Sequence, residues 1–414
     1  MNKKLKILHM GDSNLLSTGY SNQSRYILEY LSNKPNKYEI HHQAWHYHGL
    51  PIKNATFEDG ERINYWIHPG GQHSWGKDMI PNYINKFKPD IFFTLCDSFM
   101  LAQDGPSGPV NYWFNQINTS PAKTVFYFPS DGDPFPLGCE HVLKKFDYVV
   151  AMAKFGQEQV KKLYNIDALY IPHVVDTNKF YKLSNKDFLK KKWSNQIYNC
   201  NGQHVNLVGK RVILCVARNQ GRKMLSHLPK IFAELKKDKK YADVVLLFKS
   251  DPNDVASGGV KMIDLCKSLG VGDSICWTKS TWISGYTVSE MREIYNIGDI
   301  FVLPTSGEGF GVPFIEAMSC ELPLVATDFT TPRELVDGDE NQLAKLANTL
   351  TGTYNVERGI VSNDSMLLKV KNFLDNPELI LSTGIKNRLK VLKEYDMVKV
   401  MPKWAELFDR IAWE

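Results

Sequence analysis

Between Asp299 and Thr327 the chain reads DIFVLPTSGEGFGVPFIEAMSCELPLVAT. An apolar β-type run leads into Ser306-Gly307-Glu308-Gly309-Phe310-Gly311, and a helix is expected to start near Val312-Pro313. Proline suits a first helical turn, where its missing N–H costs nothing. The alternate glycines permit positive φ and let backbone approach a ligand closely. The N–H groups of Phe310, Gly311 and Val312 at the positive end of that helix form a seat for an anion. Two carboxylates flank the seat, Glu308 in the loop and Glu316 about one turn into the helix. A carboxylate beside an anion seat is electrostatically awkward unless it has a task, and accepting hydrogen bonds from sugar hydroxyls is such a task. The same residues also fit a plain strand-to-helix turn with solvated glutamates.

A second cluster of chemistry lies upstream, in RVILCVARNQGRKM (211–224). Arg218 falls just beyond an apolar run and Lys223 five residues further on. Two cations in a strand-to-helix loop suit a diphosphate, since charge-assisted hydrogen bonds contribute about 1.5–3 kcal/mol each. Isolated surface charges would look the same.

The elements that must position these residues form a regular alternation. Short apolar runs at 5–10, 38–47, 90–95, 124–128, 148–152 and 168–172, then at 211–217, 243–248, 274–277, 299–304 and 322–327, are separated by amphipathic stretches. That pattern predicts an α/β chain with parallel sheets. Two doubly wound halves are the simplest parse: 1–175, a polar Asn/Lys-rich connector at 176–209 with room for one short helix, and 210–396. A closing helix at about 397–414 is expected to pack back on the first half. Helices are expected around 365–375 and 378–395, whereas 339–364 has no readable period. In such folds ligands sit beyond the carboxyl ends of strands, which is where both clusters fall.

Composition narrows the function. With 414 residues, 43% apolar and 23% charged, the chain is large enough for two cores and is neither disordered nor fibrous. Fifty Lys and Arg against forty-five Asp and Glu leave +5, which gives no sign of a nucleic-acid coat. No apolar run nears the ~18 residues of a membrane span, and MNKKLK lacks the apolar core of a secretory leader. Lysine runs at 144–145, 161–162, 190–192 and 236–240 read as solvated surface, with peripheral membrane contact left open. The seven cysteines are scattered without a CxxC, as expected of reduced thiols in a cytoplasmic protein. In HHQAWHYHG, His42, His46 and His48 would share one face of a strand, but no partner completes a metal set, and strand packing is the preferred reading.

Glu308-GFGVPFI-Glu316, with its flanking glycines and the following AMSCELPLVAT, resembles the signature of glycosyltransferase family 4, two glutamates separated by seven residues. These are retaining sugar-nucleotide transferases of the GT-B fold, so the resemblance implies two Rossmann-like domains facing across a cleft. It implies that Arg218 and Lys223 hold the donor phosphates, Glu308 the sugar hydroxyls and Glu316 the ribose, with Gly309, Phe310, Gly311 and Val312 lining the donor site. Gly19, before the first helix, resembles the glycine of the family's N-terminal loop, which approaches the diphosphate. Base contacts are expected from Lys249, Ser250, Thr278 and Lys279. YIPHVVD (170–176) resembles the family's IPNGVD, with His173 where Asn is common, a cleft-lining position. PRELVDG (332–338) resembles its P-E-L-V-x-x-G stretch.

One position departs from the pattern. Many members carry a His, often His-Asp, after the strand TVFYF, where this chain has Ser130-Asp131. Asp131 then becomes the polar group expected to face sugar or acceptor. Asp131-x-Asp133 imitates the metal-binding DxD of GT-A transferases, but the two-half layout and the Arg/Lys/Glu set favour GT-B, and no metal or other cofactor is expected. The expected activity is retaining transfer of a sugar from a UDP- or GDP-sugar to an unidentified acceptor. Rival readings are a sugar-nucleotide epimerase, a glycoside hydrolase, and an inactive nucleotide-sugar-binding protein.

Overall fold

The computed structural model describes residues 3–56, 62–72, 75–102, 120–279 and 285–413. The chain divides into two compact units. The first comprises residues up to Ser130, Pro134–His173 and the C-terminal residues from Met397; the second comprises Asp131–Asp133 and Val174–Asp396.

The first unit is built on an eight-stranded sheet in the order β3-β4-β2-β1-β5-β6-β7-β8. Its strands are β1 (Leu5–Asp12), β2 (Tyr38–Trp45), β3 (Ile52–Thr56), β4 (Arg62–Pro69), β5 (Ile91–Leu95), β6 (Lys123–Phe128), β7 (Tyr148–Ala151) and β8 (Leu169–Tyr170). All pairs are parallel except β3 with β4. Central strands such as IFFTL are buried along their whole length, the expected state of a parallel sheet covered on both faces. Leu8, Met10, Phe92, Phe126 and Phe128 form the core under one helical layer. On the other face the last helix, Met397–Trp413, packs Trp404 and Phe408 against Phe93 at ring separations of 5.2 and 5.6 Å. Tyr38 ties the same helix down by donating its hydroxyl proton to Asp409 at 2.6 Å.

The second unit carries a seven-stranded sheet in the order β15-β14-β13-β10-β11-β12-β9. Its strands are β9 (Ile197–Asn199), β10 (Arg211–Val216), β11 (Val244–Lys249), β12 (Ile275–Thr278), β13 (Ile300–Leu303), β14 (Leu324–Thr327) and β15 (Leu343–Ala344). Only β9 runs antiparallel to its neighbour. Strand order reverses between β10 and β13, which pair in parallel. That adjacency is a topological switch point, where the connections leaving two neighbouring strands diverge and open a crevice.

Three regions differ from the sequence expectations. Residues 176–209 hold the short helix allowed for there, Lys186–Ser194, but also strand β9, which extends the second sheet. Lys186 and Lys190 both reach the Asp299 carboxylate, at 2.6 and 3.3 Å, and Trp193 and Ile197 are buried. A three-residue strand in a polar stretch leaves no period to read. Strands β3 and β4 were not expected either, although Ile63, Tyr65 and Ile67 alternate with exposed neighbours in β4. The unreadable segment 339–364 contains β15 and an antiparallel hairpin of β16 (Leu346–Thr351) and β17 (Glu357–Val361). The expected helices appear at Asn363–Asp375 and Pro377–Glu394.

Candidate active site

Both chemical clusters emerge at the switch point of the second unit, one after β10 and the other after β13. Beyond β10 the chain makes a tight turn at Gly221–Lys223, closed by Met224 in the left-handed region at φ 50°. Beyond β13 it loops through residues 304–311 before the helix Val312–Ser319, with Pro313 in the first turn as anticipated. Gly311 precedes that helix at φ 97°, a conformation L side chains rarely adopt. The two loops are stitched together, because Ser306 N–H and Oγ–H both donate to the Arg222 carbonyl, at 2.7 and 2.9 Å.

At the centre Lys223 Nζ donates to Glu308 Oε1 at 2.5 Å, both groups being buried. Arg222 Nη1 reaches the other oxygen, Oε2, at 3.3 Å and the Gly307 carbonyl at 3.1 Å. Burial alone would raise the Glu308 carboxyl, but the Lys223 and Arg222 charges outweigh it and bring its pKa down to about 2. Burial, then the Arg222 charge, lowers Lys223, with Glu308 pulling the other way.

Glu316, in the next turns of the same helix, has a different environment. It accepts the Tyr295 hydroxyl proton at 2.6 Å and senses Lys249. Burial dominates over these two stabilising partners and pushes its pKa up to about 7. Burial also lowers Lys249, against the pull of Glu316. Arg218 points elsewhere: its Nε donates at 2.6 Å to Asp254, whose side chain is almost wholly buried.

Asp131 lies beside the glycine loop. Its Oδ1 is 2.9 Å from Arg358 Nη1 and its Oδ2 3.9 Å from Arg222 Nε, and Arg358 also donates to its carbonyl. The immediate partners of this carboxylate are two arginines of its own unit. A Cβ at Gly307 would come within 1.9 Å of the Asp131 carbonyl, so glycine there permits the close approach of the two loops.

The expected base contacts fall into two sets. Thr278 and Lys279 line an open cavity of about 600 Å³ together with Tyr198, Asp251, Asn253 and Trp277, and Lys279 Nζ sits 4.8 Å from the Tyr198 ring centre. The Ser250 hydroxyl and Trp277 Nε1 are buried and have no protein partner among the described residues. Lys249 belongs instead with Glu316. Gly19 begins the helix Gly19–Ser32 of the first unit, and nothing would lie within 4 Å of an added Cβ there.

The other polar features have structural environments. β2 ends at Trp45 and His46 turns into the left-handed region at φ 62°, so His42, His46 and His48 do not share a strand face. His42 instead meets His9 at 2.8 Å and His41 meets His68 at 3.0 Å. Among the described residues no group of three or more His, Cys, Asp or Glu is placed to hold a metal ion. His173, expected to line a cleft, is buried with Nδ1 2.8 Å from the Tyr127 hydroxyl. Sequence reasoning missed Arg222, Asp254, Tyr295 and Arg358. Arg222 stood next to Lys223 in the same loop and could have been included, whereas the other three are brought in only by the fold.

The two Rossmann-like sheets, with charged strand-end loops at the second unit's switch point, define the GT-B class of glycosyltransferase fold. Sucrose-phosphate synthase from Thermosynechococcus elongatus superposes over 99% of both chains with a TM-score of 0.73 at 13% identity. Anabaena HepE in complex with UDP-glucose does so over 98% of this chain and 100% of that one, with a TM-score of 0.70 at 13% identity. Residues 202–348, within the second unit, match the family Glycosyl transferases group 1. Among curated proteins, O-antigen chain mannosyltransferase B of Escherichia coli is 37% identical over 84 residues, 18% of this chain and 22% of that protein. The chain spans about a third or less of the length of the curated relatives it matches. No helix among the described residues is long and apolar enough to cross a membrane.

Proposed function

We propose that this chain is a retaining, metal-independent glycosyltransferase of the family 4 type, moving a hexose from a nucleoside-diphosphate sugar to a hydroxyl of an acceptor, whether glycan, lipid, protein or small molecule. The observation that carries this reading is the convergence at one switch point of Lys223, Arg222 and Glu308 around a glycine turn that opens a helix. UDP-sugar is the favoured donor, in keeping with the UDP-glucose complex of HepE, and GDP-sugar the next. The seven buried free thiols fit a cytoplasmic setting.

In this reading the donor diphosphate sits at the tip of the helix Val312–Ser319, with Lys223 and Arg222 neutralising the charge that develops as the bond from the sugar C1 to the phosphate oxygen breaks. Stabilising such charge is commonly the largest catalytic contribution. Glu308, held ionised, accepts hydrogen bonds from sugar hydroxyls, and Glu316 accepts from the ribose. The acceptor oxygen attacks C1 from the face the phosphate leaves, so configuration is retained. Its proton passes to the departing phosphate oxygen, and no protein base is required. Thr278, Lys279 and Ser250 are offered to the base.

Incubation with UDP- and GDP-sugars, and separately with oligosaccharides, tests the reaction. Release of nucleoside diphosphate coupled to a glycosylated product is the expected result. Plain cleavage of oligosaccharide would favour a hydrolase, and a converted sugar nucleotide an epimerase.

A further inference from the structure

The hairpin β16–β17 does more than decorate the second unit. Its second strand bonds two separate loops at once. Gly359 N–H donates to the Ser306 carbonyl at 2.9 Å, in the loop that carries Glu308. Two residues earlier, Glu357 and Asp133 exchange both backbone hydrogen bonds, at 2.9 and 3.3 Å. A Cβ at Gly132 would fall 2.1 Å from the Val356 side chain, so the 131–133 segment lies directly on the hairpin. Between these anchors Arg358 holds both the carboxylate and the carbonyl of Asp131.

Asp131 in turn faces Arg222, Arg222 faces Glu308, and Glu308 pairs with Lys223. Charges alternate along this chain, plus to minus, from Arg358 to Lys223. Each member is oriented by its neighbours, so the guanidinium of Arg222 is confined between two carboxylates at fixed places. A long, flexible side chain held this way loses little further entropy when a ligand arrives.

We propose that Arg358 is a positioning residue: through Asp131 it sets Arg222, and thereby the Glu308–Lys223 pair, so the hairpin braces the donor site from outside it. The proposal rests on the donor-site reading given above. Arg358 touches no reacting atom in this account; its contribution is geometric, and a misplacement of about 1 Å at a reacting centre can cost about 100-fold in rate.

The test uses the full chain with Arg358→Ala, Arg358→Lys, Asp131→Asn and the Arg358→Ala/Asp131→Asn double variant. Turnover is read as nucleoside diphosphate release from UDP- and GDP-sugars. Each single neutralising change should lower kcat about 10–100-fold with a smaller change in KM. The double variant should be no worse than the worse single one, because both act through the same contact. Arg358→Lys should recover part of the loss, which also guards against an alanine variant that folds poorly. Hydrogen–deuterium exchange supplies a readout that needs no nucleotide: Arg358→Ala should speed exchange at 219–224 and 304–312 while β10 and β13 stay protected. Unchanged exchange in those loops, unchanged kcat, or effects that multiply in the double variant would each overturn the brace. A wild-type chain that releases no nucleoside diphosphate, with the loop exchange still responding to Arg358→Ala, would sink the transferase reading and leave the brace standing.

Discussion

Glu308 and Glu316 are separated by seven residues around one helix start, yet their surroundings drive them in opposite directions. The glycine loop presses Glu308 against Lys223 and Arg222 and holds its pKa at about 2. Inside the helix, Glu316 has one phenol and a more distant lysine, and burial carries it to about 7. Burial favours the neutral acid at both places, so the difference comes from the partners. A loop at a switch point can collect cations from a neighbouring strand's loop, whereas a helix face meets whatever packs on it. One acid is thus permanently charged and the other poised to titrate near neutrality.

The comparison can be broken first at its cations. Lys223→Ala should lower turnover about 10²–10³-fold, as loss of an oxyanion donor does, and near-normal kcat in a steady-state assay would remove the site from the mechanism. Next is Glu308→Gln, which leaves Lys223 buried without its counter-charge. Denaturant unfolding at pH 7 should show a loss of about 3–5 kcal/mol.

The pH dependence of stability sharpens the contrast, since the two acids contribute opposite slopes. Glu308 has a folded pKa below its unfolded value of 4.5, so its contribution is present above about pH 4.5 and is lost as pH falls toward 2. Glu316 has a folded pKa above 4.5, so its contribution is greatest below that pH and declines as pH rises through 7. Glu316→Gln should therefore stabilise the chain at pH 8 relative to pH 5, by about 1–3 kcal/mol in urea titrations at the two pH values. Equal effects at both would contradict the assignment. The smallest expected effect belongs to Tyr295→Phe. Losing the hydroxyl that donates to Glu316 should move its titration above 7 by up to about one pH unit, visible in carboxyl ¹³C shifts.

Much of this site was legible because its chemistry is local. The spacing of Glu308 and Glu316, the glycines between them, Pro313 at the helix start and the Arg218–Lys223 loop all lie within short segments. Apolar runs long enough for a buried strand, such as VVLLF and IFVL, gave away the parallel sheets. What escaped was non-local. Asp254 meets Arg218 and Tyr295 meets Glu316 only because separate strand-end loops and helices converge. Arg358 sits in a hairpin whose first strand is almost entirely exposed, so the segment carries no hydrophobic period. Asp131 showed its type but not its partners, Arg222 and Arg358. The 176–209 stretch escaped for a related reason: Lys190, which reads as surface charge, turns inward with Lys186 to a single aspartate.

The central claim is that the second unit's switch point grips a nucleoside diphosphate through Lys223 and its neighbours. Calorimetric titration of the full chain with UDP and GDP tests it most directly. One site should saturate with at least one of the two, and the charge reversal Lys223→Glu should abolish that heat while the far-UV spectrum stays native. Binding of neither nucleotide, or undiminished binding by the folded Lys223→Glu variant, would contradict the account.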